Sequence, residues 1–276
     1  MTVLTAVLRH PRGLAGLIPL VVLVVASVLA PVIAPYDPTQ YHLIDKFGGP
    51  SLAYPFGTDQ YGRDIFSRVL VGGQLTFLLG VGATVVALTL GILIGMTSGY
   101  VGGLIDELLM RVNDAVLAIP SLLLALLIVS TLGASLINAI LAIGLVFVPR
   151  VTRIVRSAAI GLKHERFVDA ARADGERVPY IVFREILPNA WPTILVEATY
   201  RFGFALFTGA SLSFLGLGVQ PPNPEWGLMI RQAKAQILQS PWPLLWPTLA
   251  IVVSIVAANL LGDALSEILG KDARKG

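Results

Sequence analysis

The chain contains no cysteine, which excludes disulfide frameworks, thiolate metal sites and cysteine nucleophiles. Charge is also scarce: 13% of the 276 residues are Asp, Glu, Lys or Arg, against roughly 25% in an average soluble domain. With 55% hydrophobic residues, a water-soluble globule of this composition would expose far too much apolar surface, and a disordered chain needs the opposite balance. No G-x-x-x-x-G-K-[ST] phosphate loop and no H-E-x-x-H pair occurs, and the three histidines, His10, His42 and His164, are scattered. Ser211 and Ser213 lie in an apolar run with no histidine near them in sequence, so a hydrolase triad has no support.

What the chain does have is long apolar runs. A membrane-spanning helix needs about 20 mostly apolar residues. Six runs fit: 14–34, 75–96, 115–132, 136–148, 193–217 and 244–261, with a tight turn at Gly133-Ala134-Ser135 between the third and fourth. The first is too long for a signal-peptide core and lacks a good cleavage site, so it reads as an uncleaved span. The expected architecture is an all-α membrane protein of six transmembrane helices. Orientation follows from Lys and Arg in the loops. With the N-terminus inside, fourteen basic residues fall on the cytoplasmic side and five outside, with Arg201 inside a span; both termini are then cytoplasmic. The basic pI of about 9.3 is thus a topology signal and no nucleic-acid footprint. The expected divisions are a cytoplasmic N-terminus (1–13), a first span (14–34), an extracytoplasmic segment (35–74), a five-helix core (75–270) with a cytoplasmic loop (150–189), and a cytoplasmic tail (271–276).

Three polar-side segments carry the information. In the outer segment, Asp59, Arg63, Asp64 and Arg68 alternate in sign; Asp64 and Arg68 stand four apart and would pair on a helix. They read as a self-satisfied polar loop at the membrane surface, or as a short surface helix that shapes an outer mouth or docks a partner. In the cytoplasmic loop, Phe167 to Asp174 is a good helix by propensity, ended by Gly175, and a second piece fits 179–187, with Pro188 marking a break before the fifth span. Ala170, Ala171 and Ala173 allow another surface to approach the backbone closely, with Phe167 and Val168 as an apolar anchor. The same patch would equally pack under the chain's own spans. After the fifth span, Pro221, Pro222 and Pro224 stiffen an extended stretch, and Trp226 fits an interfacial anchor. Glu197 and Arg201 lie four apart inside the fifth span, where charges pair or face a cavity; both a self-neutralising pair and a place on a translocation path fit them.

These residues resemble a known family: the inner-membrane permease subunits of binding-protein-dependent ABC importers, and within it the C-type permease of dipeptide, oligopeptide and nickel systems. Asp169-Ala170-Ala171, Gly175 and then Leu187-Pro188 match the family's Glu-Ala-Ala loop signature, with Asp169 in place of the usual Glu and Glu185 where an apolar residue is common. Phe56 to Arg68 is similar to the branch's FGTDxxGRDxxSR block, and Leu212 to Gly227 to its LSFLGLGxxPPxPxWG block. The resemblance implies a type I importer permease fold in the cell (inner) membrane and import of peptides, with nickel, glutathione or another small solute as the alternative. It implies no catalysis and no cofactor on this chain, with ATP and magnesium on partner subunits. The implied partners are a second homologous permease, one or two ABC ATPase subunits docking on the helix around Phe167, Val168, Asp169, Ala170, Ala171, Arg172, Asp174 and Gly175, an extracytoplasmic solute-binding protein, and membrane lipid. A stand-alone secondary transporter is the other class; it would need its own intramembrane site and often internal repeats.

Overall fold

The computed structural model describes residues 3–272, and among these every regular element is helical apart from one isolated bridge between Thr58 and Asp64. The helices are α1 (Val3–Arg9), α2 (Pro11–Val28), α3 (Ala30–Ile33), α4 (Ile65–Val101), α5 (Gly103–Leu117), α6 (Ser121–Leu132), α7 (Leu136–Leu162), α8 (Arg166–Ala173), α9 (Val178–Tyr180), α10 (Leu187–Phe214), α11 (Trp226–Ala233) and α12 (Trp242–Asp272). Four of them, α2, α4, α7 and α12, are long and apolar enough to cross a membrane. The tail assigned to 271–276 lies outside the described residues from 273 onward.

The third run departs from the single span expected at 115–132. It belongs to two helices, α5 and α6, which together pass as one broken span bent by 88°. Pro120 is the cause: it has no N–H to continue the ladder and holds an extended conformation (φ −54°, ψ 126°) at the start of α6. At 12 residues, about 18 Å, α6 is too short to cross alone. The fourth run extends well past Val148, because α7 continues through Pro149 to Leu162 and carries Arg150, Arg153 and Arg156 on a regular helix. In α10, the 28 residues span about 42 Å, with Glu197 and Arg201 in the interior.

The expected break at Pro188 is absent. Residues Ile181–Ile186 form a π-helical segment that joins α9 to α10 without interruption. Its wider register suits the proline: Leu187 N donates to Val182 O, five residues back, and the side-chain amide of Asn189 donates to Glu185 O at 2.7 Å. The break is replaced by a local widening.

The centre of the molecule is the α4–α7 pair. Gly91, Gly95 and Gly99 recur every four residues on α4 and face α7. A Cβ at Gly95 would lie 2.7 Å from Thr152 O, and one at Gly99 2.7 Å from Arg156 O. Lipid tails are as apolar as leucine, so close backbone approach rather than a hydrophobic drive holds such helices together. Around this pair, Leu79, Ala83, Ala87, Ile143, Phe147, Val151 and Val155 form the main buried cluster. Side chains such as Val22, Val81 and Leu141 point outward, as a hydrocarbon solvent permits.

Candidate coupling and translocation surfaces

The short helix α8 stands between the ends of α7 and α10. It ends in two turn hydrogen bonds, from Gly175 N to Arg172 O (3.0 Å) and from Glu176 N to Ala171 O (3.1 Å). This Schellman arrangement needs a left-handed residue, and Gly175 supplies it at φ +77°. A Cβ there would meet nothing within 4 Å, so Gly175 faces open space.

The face that α8 turns inward takes Phe167, Val168 and Ala171, three of the residues first assigned to a partner, in line with the alternative of packing under the chain's own spans. Val168 and Ala171 are buried, in one cluster with Ile181, Val182 and Ile186, and Phe167 packs against it. Asp169, Ala170, Arg172, Asp174 and Gly175 are exposed, as is Pro188, while Leu187 is half-buried. Exposed apolar groups at this end include Val178, Tyr180 and Phe183, which sequence reasoning did not single out. Their spacing is uneven across α9 and the π segment, so no 3.6-residue pattern marked them.

Arg172 ties α8 to the end of α4. Its Nε donates to the Tyr100 hydroxyl (3.3 Å), its Nη2 to Lys163 O (3.2 Å) and its Nη1 to Asp169 (3.0 Å), with the guanidinium 5.4 Å from the Tyr100 ring. At the same end, Arg156 of α7 grips Asp106 of α5 through two hydrogen bonds of 2.6 Å. Arg153 reaches Asp114 at 2.6 Å. Thus α4, α5, α7 and α8 are cross-linked at this end by charge.

The charged residues of the 56–68 block are spent inside the chain. Asp59, Arg63, Asp64 and Arg68 are all buried rather than lying on a surface loop. The side chain of Asp64 is the N-cap of α4, accepting from Ser67 N (2.8 Å) and the Ser67 hydroxyl (2.6 Å), so it does not pair with Arg68. Asp59 instead takes both arginines, Arg63 Nε at 2.7 Å and Arg68 Nε at 3.8 Å. Gln232 of α11 accepts from both as well, and Arg68 Nη1 donates to Pro38 O. The block therefore forms a turn and the start of α4, with no separate surface helix.

Trp226 is a core residue and no interfacial anchor. It is 1% exposed, donates from Nε1 to Val69 O (2.8 Å) and meets Phe77 edge-on at 5.3 Å. Beside it, Glu225 caps α11 by accepting from Gly227 N and Leu228 N, both at 2.9 Å. Burial pushes the Glu225 carboxyl pKa up, and these two N–H donors oppose the shift. Pro221 and Pro222 are exposed; they form a turn with a cis bond between them rather than an extended run.

Within α10, Arg201 Nε lies 2.6 Å from Glu197 Oε1, and both side chains are buried. The guanidinium sits 5.6 Å from the Phe147 ring and 5.1 Å from the Phe204 ring. Glu197 also lines a cavity of about 720 Å3 between the start of α10 and the end of α12. No group of three or more metal-ligating side chains occurs among the described residues.

Comparison with known proteins agrees with this architecture. Residues 87–275 match the family model described as the binding-protein-dependent transport system inner membrane component. Residues 3–55 match the N-terminal TM domain of oligopeptide transport permease C. The chain is 41% identical over 261 residues to the dipeptide transport system permease protein DppC of Alkalihalophilus pseudofirmus, covering 95% of this chain and 86% of that one. It is 41% identical over 262 residues to the glutathione transport system permease protein GsiD of Escherichia coli O157:H7, with the same coverage. Among solved structures it is similar in fold to an inward-facing form of the MetNI methionine ABC transporter, with a TM-score of 0.58 and 17% identity over 74% of this chain and 95% of that one. The chain belongs to the family of binding-protein-dependent transport system inner membrane components, the multi-pass permease subunits of ABC importers.

Proposed function

We propose that this chain is one of two homologous permease subunits of an ATP-driven importer for short peptides. The observation that carries the reading is α8: a short, capped helix with one face exposed, set in the loop between α7 and α10 and latched to α4 through Arg172. Such an element transmits a push from a docked partner to three long helices at once. An ABC ATPase subunit, holding ATP and magnesium, docks on Ala170, Ala173 and Gly175 with Tyr180 and Phe183 as apolar neighbours. Small side chains there permit close approach, and the exposed charges of Asp169 and Asp174 set register.

Six crossings fit the helices as α2, α4, the bent α5–α6 pair, α7, α10 and α12, which puts both termini in the cytoplasm with the basic loop. On this reading the divisions are a first span near 14–34, an outer segment that ends where α4 begins at Ile65, and a cytoplasmic loop around α8 between α7 and α10. The peptide substrate is favoured because the relatives named above carry a dipeptide and glutathione, itself a short peptide. On the outer side, exposed Pro221 and Pro222 are available to an extracytoplasmic solute-binding protein, while the buried Asp59–Arg63–Arg68 cluster and Trp226 shape the mouth.

The test is purification of the tagged chain from native membranes, followed by Gly175→Leu. The expected result is a second permease, an ATPase and a binding protein in the eluate. In Gly175→Leu membranes, the chain inserts normally, ATPase recovery falls and peptide uptake is lost. A chain recovered alone and folded in mild detergent refutes the reading, as does full uptake by the variant.

A further inference from the structure

The cavity of about 720 Å3 is lined by Asn189, Thr193, Glu197 and Tyr200 of α10, Ile154 of α7 and Ser266 of α12. Its size lies within the range of about 300–1,000 Å3 typical of small-molecule sites. Its walls are mainly apolar with a few convergent polar groups. Glu197 is the one charged residue among those lining it.

Arg201 stands one turn further along the same helix. Glu197 Oε1 takes Arg201 Nε at 2.6 Å, and Arg201 Nη1 is buried with no hydrogen-bond partner of its own. Phe147 and Phe204 hold the guanidinium in place from the side. Arg150 of α7 adds positive charge that acts on both members of the pair. The pair is thus neutral as a unit, yet Arg201 keeps a buried donor that nothing within the chain accepts from. A buried donor left unpaired is costly unless a further group accepts from it.

We infer that this cavity is a subsite for a zwitterionic solute, with Glu197 accepting its ammonium and Arg201 donating to its carboxylate. The inference rests on the peptide reading above and adds the residues that recognise peptide ends. Charge is conserved on entry: the internal pair opens, and each member acquires an opposite charge from the solute. Neither buried group is left alone, whereas a solute with one blocked end would leave one unpaired, which is the costly state. Such a site discriminates free-ended peptides from blocked ones without reading their side chains.

The chain has no cysteine, so Ser266→Cys places a unique thiol in the cavity wall. Inside-out membrane vesicles containing the whole transporter are treated with a maleimide, with and without dialanine. At twice its dissociation constant, dialanine slows labelling about threefold. N-acetyl-dialanine amide gives no slowing. Adding Glu197→Gln or Arg201→Gln removes a charged partner and weakens protection about tenfold. Should either single variant fail to insert, the neutral double variant replaces it and must label at the parent rate with no protection by dialanine. Equal protection by the blocked peptide, or undiminished protection in the variants, overturns the subsite. Uptake of dialanine by whole cells is measured in parallel. Import by a transporter whose cavity dialanine does not protect refutes the subsite alone, whereas protection without import refutes the import reading alone.

Discussion

Replacing Gly95 by alanine sets two known effects against each other at one position. The gain is helix propensity, about 1 kcal/mol for glycine to alanine inside a helix. The loss comes from contact: the new methyl would sit 2.7 Å from Thr152 O, 2.9 Å from Val155 Cβ and 3.0 Å from Arg156 N. Two of these three atoms belong to the α7 backbone, so no side chain can swing aside and the helices must separate. Overpacking of this kind costs about 1–3 kcal/mol. The net effect is a destabilisation of up to about 2 kcal/mol, or a fall of some 2–4 °C in Tm per kcal/mol for a chain near this size. Gly161, in the last turn of α7, is the control, because a Cβ there meets nothing within 4 Å. Gly161→Ala keeps the propensity gain, up to about 1 kcal/mol, without the clash. The assay is thermal loss of the monodisperse peak in detergent, run on both variants at one heating rate. The expected order is Gly161→Ala, wild type, Gly95→Ala. A Gly95→Ala protein as stable as Gly161→Ala would refute the claim that backbone contact holds α4 to α7.

Two further perturbations follow from the latch and the outer block. Tyr100→Phe removes the Arg172 hydrogen bond and keeps the ring beneath the guanidinium, so it lowers uptake less than Tyr100→Leu; assayed as solute moved per ATP hydrolysed, equal values for the two variants would rule out the ring contact. Trp226→Ala removes a buried indole and its hydrogen bond to Val69 O, costing about 3–5 kcal/mol by the large-to-small rule; detergent-stable yield unchanged from wild type would show that α11 is not pinned through this residue.

The sequence made the apolar runs visible because a span must be long, and length survives any tertiary context. It made α8 and its Gly175 end visible because a left-handed cap is a local demand. The start of α4 was harder: spacing of four made Asp64 a partner for Arg68, whereas Asp64 caps α4 and it is the buried Asp59 that takes both arginines. The 88° bend before α6 was missed because hydropathy averages straight across Pro120. The opposite error occurred at Pro188, where a π segment absorbs a proline that local rules treat as a stop. Which side of α8 turns inward depends on Ile181, Val182 and Ile186, residues further along the chain whose position no window around α8 contains.

The arrangement around Asp59 has a mechanical consequence. Its carboxylate takes two arginines, Gln232 accepts from the same two, and Trp226 fastens α11 to α4 a few residues away. The segment before α4, the beginning of α4 and α11 are therefore fastened into a single body. This body does not contain a flap that could lift by itself. A displacement of that body is carried along α4 to its far end, where Tyr100 meets Arg172.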